Sequence, residues 1–191
     1  MSTVPRFLRL VPFLGLALLT ACETPSGPGR PVDAGSSSIV FDHPLYQGAE
    51  GEYQQRSSVG GTNGRIDSAT FEGVLGFVSI QSHRSAGDTY FSKRPMDDLV
   101  AQLGPEPEAN RMNEEGVLPN SFPPVAWASF DMATGDGETL ACVVIQRSGA
   151  NATTARGGLT SALVVATECR LPLQELGEAE ASALSNAVTI K

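Results

Sequence analysis

Histidine exchanges protons near neutral pH more readily than any other side chain, and this chain of 191 residues has two, His43 and His83. His43 lies between Asp42 and Pro44 in a loop. His83 ends an apolar run beside Arg84 and Ser85, with Asp88 close by. A nucleophilic Ser-His-Asp assembly needs three groups converging in space. Neither neighbourhood supplies them, there is no Gly-x-Ser-x-Gly turn, and His83 reads as a solvated residue at a strand end. Asp131, Asp136 and Glu138 place carboxylates around one turn, but without the alternating Asp ligands and later bidentate Glu of a calcium loop, so a polar hairpin turn accounts for them. Gly60-Gly61-Thr62-Asn63-Gly64 lacks the lysine and the strand-to-helix setting of a phosphate cradle. Asn151-Ala152-Thr153 matches a glycosylation acceptor. Trp127, near Phe122, Pro123 and Pro124, reads either as an exposed binding patch or as a core plug at a strand start. No catalytic, cofactor-binding or metal-ligating residue is assigned, and no cofactor is expected.

Cys22 carries a more definite chemistry. Arg6 and Arg9 precede an apolar run over residues 10–19, interrupted by Pro12 and followed by Thr20, Ala21 and Cys22. The run has the layout of a secretory signal and is shorter than the roughly 20 residues that span a bilayer. Charge, apolar run, small residues and cysteine in this order resemble the lipobox of bacterial lipoproteins, over residues 1–22 only. The resemblance implies a signal peptide at 1–21 and lipidation of Cys22, with a diacylglycerol on its sulfur and a fatty acyl chain such as palmitate on its amine. More than one chain is what stable anchoring requires. The alternative is an ordinary signal peptide cut near Ala21 that leaves Cys22 as a free thiol. The lipobox places the protein in the bacterial cell envelope. Glu23 is a weaker match than aspartate to an inner-membrane retention signal, so the outer membrane facing the periplasm is preferred. Residues 22–38 are rich in Pro, Gly and Ser, with almost no side chains to bury, and are expected to form a flexible linker. As a coil, about 16 such residues span on the order of 20 Å.

If lipid takes Cys22, Cys142 and Cys169 form an even pair in an oxidising compartment. Both sit in apolar, β-branched runs, at 139–147 and 162–171, joined by a segment rich in Gly, Ala and Thr. Opposite residues in an antiparallel pair keep a constant index sum, and this pair puts the turn centre between Ala155 and Arg156, in the middle of that segment. Directly opposed residues lie within disulfide reach, so a cross-strand Cys142–Cys169 bridge is predicted. The alternative is two buried reduced thiols packing as small hydrophobes.

The elements that must carry these residues follow from periodicity. Residues 39–64 read as an irregular lead-in with one short edge strand. Residues 71–81 read as a single interior strand with both faces apolar, with 88–93 as its hairpin partner across a turn at 84–87. Pro95 followed by 96–103 and then Gly104-Pro105 marks a short helix with acidic residues in its first turn. Several prolines and no clear period make 106–124 a long surface loop. Residues 125–132 and 139–147 flank Gly135-Asp136-Gly137 and form a hairpin. The run at 162–171 adds a third strand to a meander. From Gly177, Ala181, Leu184 and Val188 recur at helical spacing.

These elements predict one globular α+β domain over 39–191, an antiparallel sheet packed by one or two short helices, with an all-β sandwich as the competitor. About 150 residues suffice for a single core. The formal charge of −8 becomes two units more negative when Arg6 and Arg9 leave with the leader. No basic stripe with interleaved aromatics appears, so nucleic acid is not an expected partner, and an acidic surface should repel anionic lipid headgroups. The expected function is that of a non-catalytic binding or structural adaptor in the cell envelope. It would be tethered to the membrane through its lipid and would touch another envelope protein. The alternatives are a periplasmic enzyme, or a small-molecule or metal-binding domain, whose site assembles only in the fold.

Overall fold

The runs rich in Val, Ile, Ala and aromatic residues between 125 and 171 become central strands because their side chains are buried on both faces of a sheet. In the computed structural model, which describes residues 29–57, 64–85, 91–149, 152, 160–171 and 175–191, these are β7 (Ala126–Ala133), β8 (Thr139–Ser148) and β9 (Ala162–Arg170). The others are β1 (Arg30–Pro31), β2 (Ile39–Phe41), β3 (Gly51–Ser57), β4 (Arg65–Glu72), β5 (Gly76–Arg84), β6 (Arg111–Val117) and β10 (Val188–Ile190). The described residues also include two α-helices, α1 (Met96–Val100) and α2 (Glu178–Ala187), and short 3-10 turns.

The architecture is α+β and dominated by antiparallel sheet. Eight strands run in the order β1-β3-β4-β5-β9-β8-β7-β6. β9 is inserted between β5 and β8, so it joins an N-terminal meander to a C-terminal one. Ala69, Phe71, Val78, Ile80, Val143, Ile145, Val164 and Trp127 face one core, closed by Leu176, Ala181 and Leu184 from around α2 and by the small β2–β10 ribbon. The opposite face packs Phe130, Met132, Cys142, Val144, Val165 and Cys169 against Met96, Leu99 and Val100 of α1.

The expected single strand at 71–81 is two strands. Gly73 donates to the Gly76 carbonyl at 2.8 Å, and the chain reverses through Val74 and Leu75. The alternation fails as a guide because it crosses this turn: Val74, read as a core residue, is 97% exposed. Gly76 is required where β5 meets β9, since a Cβ there would lie 1.9 Å from the Cys169 carbonyl oxygen. The expected lead-in at 39–64 contains β3, paired along its whole length with β4. The expected loop at 106–124 contains β6, an edge strand whose Asn113, Glu114 and Glu115 are exposed. Charged side chains protect an edge and leave no apolar period to read. α1 stops at Val100 instead of continuing to residue 103. Phe91 bridges Thr160 instead of pairing with β5, and the rest of that expected turn lies outside the described residues.

The flexible linker expected over 22–38 ends earlier than its composition indicated. Arg30 and Pro31 extend the sheet as β1, and Ser37 and Ser38 are buried. Long-range polar bonds capture this segment: Ser38 N–H donates to Asp67 Oδ2 at 3.1 Å, and the Arg65 guanidinium donates to the Ser36 carbonyl at 2.6 Å. A segment with few apolar side chains is folded here with the help of hydrogen bonds from β4. Residues 1–28, including Cys22, lie outside the described residues.

Candidate functional site

The residues singled out from the sequence that fall among the described ones have definite places. Cys142 and Cys169 are bonded, with S–S 2.09 Å and Cα–Cα 4.1 Å, and face each other directly in the β8–β9 register. The short Cα separation belongs to a non-hydrogen-bonded antiparallel pair. The bridge lies on the α1 side of the sheet, where both cysteines are buried.

Both histidines pack against aromatic rings. His43 is buried, and its Nδ1 accepts from Leu45 N–H at 3.3 Å, capping a 3-10 turn at Pro44–Tyr46. Its ring stacks on Phe41 and meets Tyr46 edge-on. His83 lies edge-on to Phe91 at 5.6 Å, with Nε2 3.3 Å from Gln81 Oε1. Burial, then the charges of Arg56 and Arg94, push its pKa down to about 4, so the ring is neutral at physiological pH. Ser85 donates its hydroxyl to the Ser161 carbonyl at 3.1 Å. Asp136 closes the β7–β8 turn, accepting from the Thr134 hydroxyl and from Glu138 N–H, and these bonds hold its carboxyl below the usual range. Asp131 accepts from Asn113 Nδ2 at 3.3 Å. Among the described residues no three His, Cys, Asp or Glu side chains are grouped to hold a metal. Trp127 is buried in the core instead of forming an exposed patch. Asn151, Thr153 and Gly60–Asn63 lie outside the described residues.

Sequence reasoning passed over a buried ionic cluster. Glu168, at 0% exposure, accepts on one carboxylate oxygen from Tyr46 Oη at 3.1 Å and from Arg170 Nε at 2.8 Å. Arg170 closes the ion pair through its second nitrogen at 2.8 Å. A buried carboxylate is tolerated only when paired and hydrogen-bonded. Burial, then the Glu168 charge, drives the Tyr46 phenol above its ordinary pKa, so it remains a donor. The cluster therefore fastens the 3-10 turn at Pro44–Tyr46 onto β9. Glu168 alternates with Val164 and Ala166 along a strand that otherwise reads as apolar, and that charge inside a hydrophobic run was the available signal.

This fastening builds a surface. Tyr46 packs so tightly on the β4–β5 turn that a Cβ on Gly73 would lie 2.9 Å from its ring. Leu171 N–H donates to the Leu75 carbonyl at 3.0 Å. Leu45, Val74, Leu75 and Leu171 are thereby gathered at one end of the sheet, with exposures of 50%, 97%, 46% and 44%. Exposed apolar side chains close together are a feature that contact surfaces share. Glu72 and Glu175 are exposed in the segments that flank it.

Comparison with protein-family models, with curated proteins and with solved structures yields no match.

Proposed function

We propose that this protein is a lipid-anchored, non-catalytic contact domain of the bacterial cell envelope, tethered through Cys22 and binding an envelope protein through the apolar tip at Leu45, Val74, Leu75 and Leu171. The single observation that carries the contact reading is that tip: apolar, exposed and rigidly framed by the Tyr46–Glu168–Arg170 cluster. The lipobox resemblance of residues 1–22 supports the anchor, and the outer membrane facing the periplasm is the preferred location. No helix among the described residues is long and apolar enough to cross a membrane.

A photo-reactive amino acid at Val74 tests the contact reading in living cells, with Val117 as the control, an apolar residue 61% exposed on the edge strand β6. A discrete adduct from position 74 and none from position 117 is expected, and Val74→Asp with Leu75→Asp should abolish the partner interaction without lowering the melting temperature. The same adducts from both positions, or none from Val74, would overturn it. The anchor is tested separately by labelling with an alkyne analogue of palmitate, which should be lost in Cys22→Ser.

A further inference from the structure

The chain is acidic overall, yet Arg30, Arg56, Arg65, Arg84, Lys93 and Arg94 lie toward one end of the sheet, while Arg170, paired with Glu168, and Arg111, opposite Asp131, lie toward the other. Arg65 and Arg84 stand directly opposite each other in the β4–β5 register, and Arg56 lies in the adjoining row opposite Ile66. Arg30 pairs with Gln55, one position from Arg56. Lys93 donates to the Pro124 carbonyl at 3.2 Å, and Arg94 N–H to Gln146 at 2.9 Å, which ties both to the same end through the start of β7 and its partner on β8. The carboxylate within these rows is Asp67, neutralised by Arg65 at 2.7 Å. Asp97 and Asp98 come next, on the first turn of α1. The connecting segments at 58–63, 86–90 and 150–159 carry one Asp and one Arg by sequence, which leaves the sign of this end unchanged. Acidic residues mark the far end: Glu72 at the β4–β5 turn, and Asp136 and Glu138 at the β7–β8 turn.

Like charges directly opposite one another disfavour strand pairing, and among the described residues neither Arg56 nor Arg84 has a carboxylate partner. The chain also joins the sheet at this cationic end. β1 runs antiparallel to β3, so Gly29 lies beyond the Arg30–Gln55 pair, toward Arg56. Residues 23–28 separate Cys22 from Gly29, and six residues at full extension reach about 20 Å. If Cys22 carries the lipid, the cationic end is held facing the bilayer. The apolar tip then points away across the length of β5, nine residues or about 30 Å.

We propose that the arginine-rich end, centred on Arg30, Arg56 and Arg84, docks on anionic phospholipid headgroups, so that the domain lies against the membrane in a fixed orientation with its apolar tip exposed. This deepens the tethered-adaptor reading and, for the orientation, rests on it. The docking itself does not need the lipid. Charge complementarity acts within a Debye length of about 8 Å at physiological ionic strength, and the short linker keeps the end close to that range.

The test uses the Cys22→Ser chain, so that failure of docking and failure of lipidation are read apart. It is sedimented with vesicles of phosphatidylcholine alone and with vesicles containing 30% phosphatidylglycerol. Binding at least tenfold stronger to the anionic vesicles is expected, falling about fivefold for each arginine removed and vanishing at high salt. Arg56→Glu with Arg84→Glu should abolish it while the melting temperature holds, since Arg84→Glu places opposite charges across from each other. No preference for the anionic vesicles, a preference that survives both substitutions, or equal affinity for single-stranded DNA in the same salt would overturn the proposal.

Discussion

Opening the Cys142–Cys169 bridge is the perturbation whose size follows most directly from the fold. The bridge joins residues 27 apart in sequence. In the chain-entropy treatment, releasing such a loop adds about 12 cal/mol/K to the unfolded state, or about 3.5 kcal/mol at 25 °C. The native state should change little, because β9 is held in register by β5 on one side and β8 on the other. The effect therefore acts through the unfolded chain. With a urea dependence of about 2 kcal/mol/M for a domain of this size, the midpoint should fall by about 1.8 M. The comparison is between oxidised protein and protein refolded in reductant with both thiols confirmed free by mass, which keeps the sulfur atoms in the core. A double alanine variant would add cavity loss at two fully buried positions. A midpoint shift below about 0.5 M would refute the loop-entropy reasoning. Loss of near-ultraviolet dichroism before urea is added would refute the claim that the register survives without the bond.

Three further perturbations probe the frame. His83 is neutral in the folded state down to about pH 4, whereas the unfolded chain protonates it near 6.5. Its contribution is therefore intact above pH 6.5 and lost progressively as pH falls toward 4, by roughly 3 kcal/mol in total. Urea midpoints measured across that window should slope downward for the native chain and lose that component in His83→Gln; equal slopes would refute the assignment. For Asp67, burial acts to raise the pKa, but bonds from Arg65, Ser38 and Gln55 outweigh it and the net shift is downward. Its stabilisation is thus present above the usual carboxyl range and lost as pH drops through it. Asp67→Asn should cost about 1–3 kcal/mol and accelerate amide exchange at Ser38 and Ile39 ahead of the rest of the sheet. Gly76→Ala drives a methyl into the β9 backbone and should destabilise by about 1–3 kcal/mol or more. Gly135→Ala, in open space, should leave the melting temperature nearly unchanged, and similar losses for the two would contradict the packing at β5–β9.

The C-terminal meander was legible because its side chains alternate between two buried faces and its turns carry Gly135 and Gly137. The cysteine index sum then fixed the β8–β9 register to the residue, as the direct opposition of Cys142 and Cys169 shows. Sequence reasoning lost the N-terminal half for three separate physical reasons. β3 and β6 pair by backbone with few apolar side chains, so neither has a period to detect. A three-residue turn at 73–75, apolar at its centre, joined β4 and β5 into one apparent strand. Residues 30–38 are held by bonds from Arg65 and Asp67, which composition cannot reveal. The tip was hidden for a related reason: Val74 and Leu75 looked like core residues, and only Tyr46, pinned by Glu168 from over a hundred residues away, shows why they are presented to solvent.

Net charge and its distribution make different statements about a membrane surface. A total of −8 predicts uniform repulsion from anionic lipid only if the charges are evenly mixed, and the strand order groups three arginines at one edge. Antiparallel pairing brings the C-terminal end of β3, the N-terminal end of β4 and the C-terminal end of β5 to one edge of the molecule, and each contributes an arginine there. The β4–β5 and β7–β8 turns fall at the opposite edge with Glu72, Asp136 and Glu138. Repulsion of the whole and attraction of one end are therefore compatible, because screening limits each surface to the charges within about 8 Å of it. A chain joined to its anchor at the cationic end would feel only the attractive part. That same attachment would place the rigid apolar tip about 30 Å from the membrane, where a partner can reach it without entering the headgroup layer.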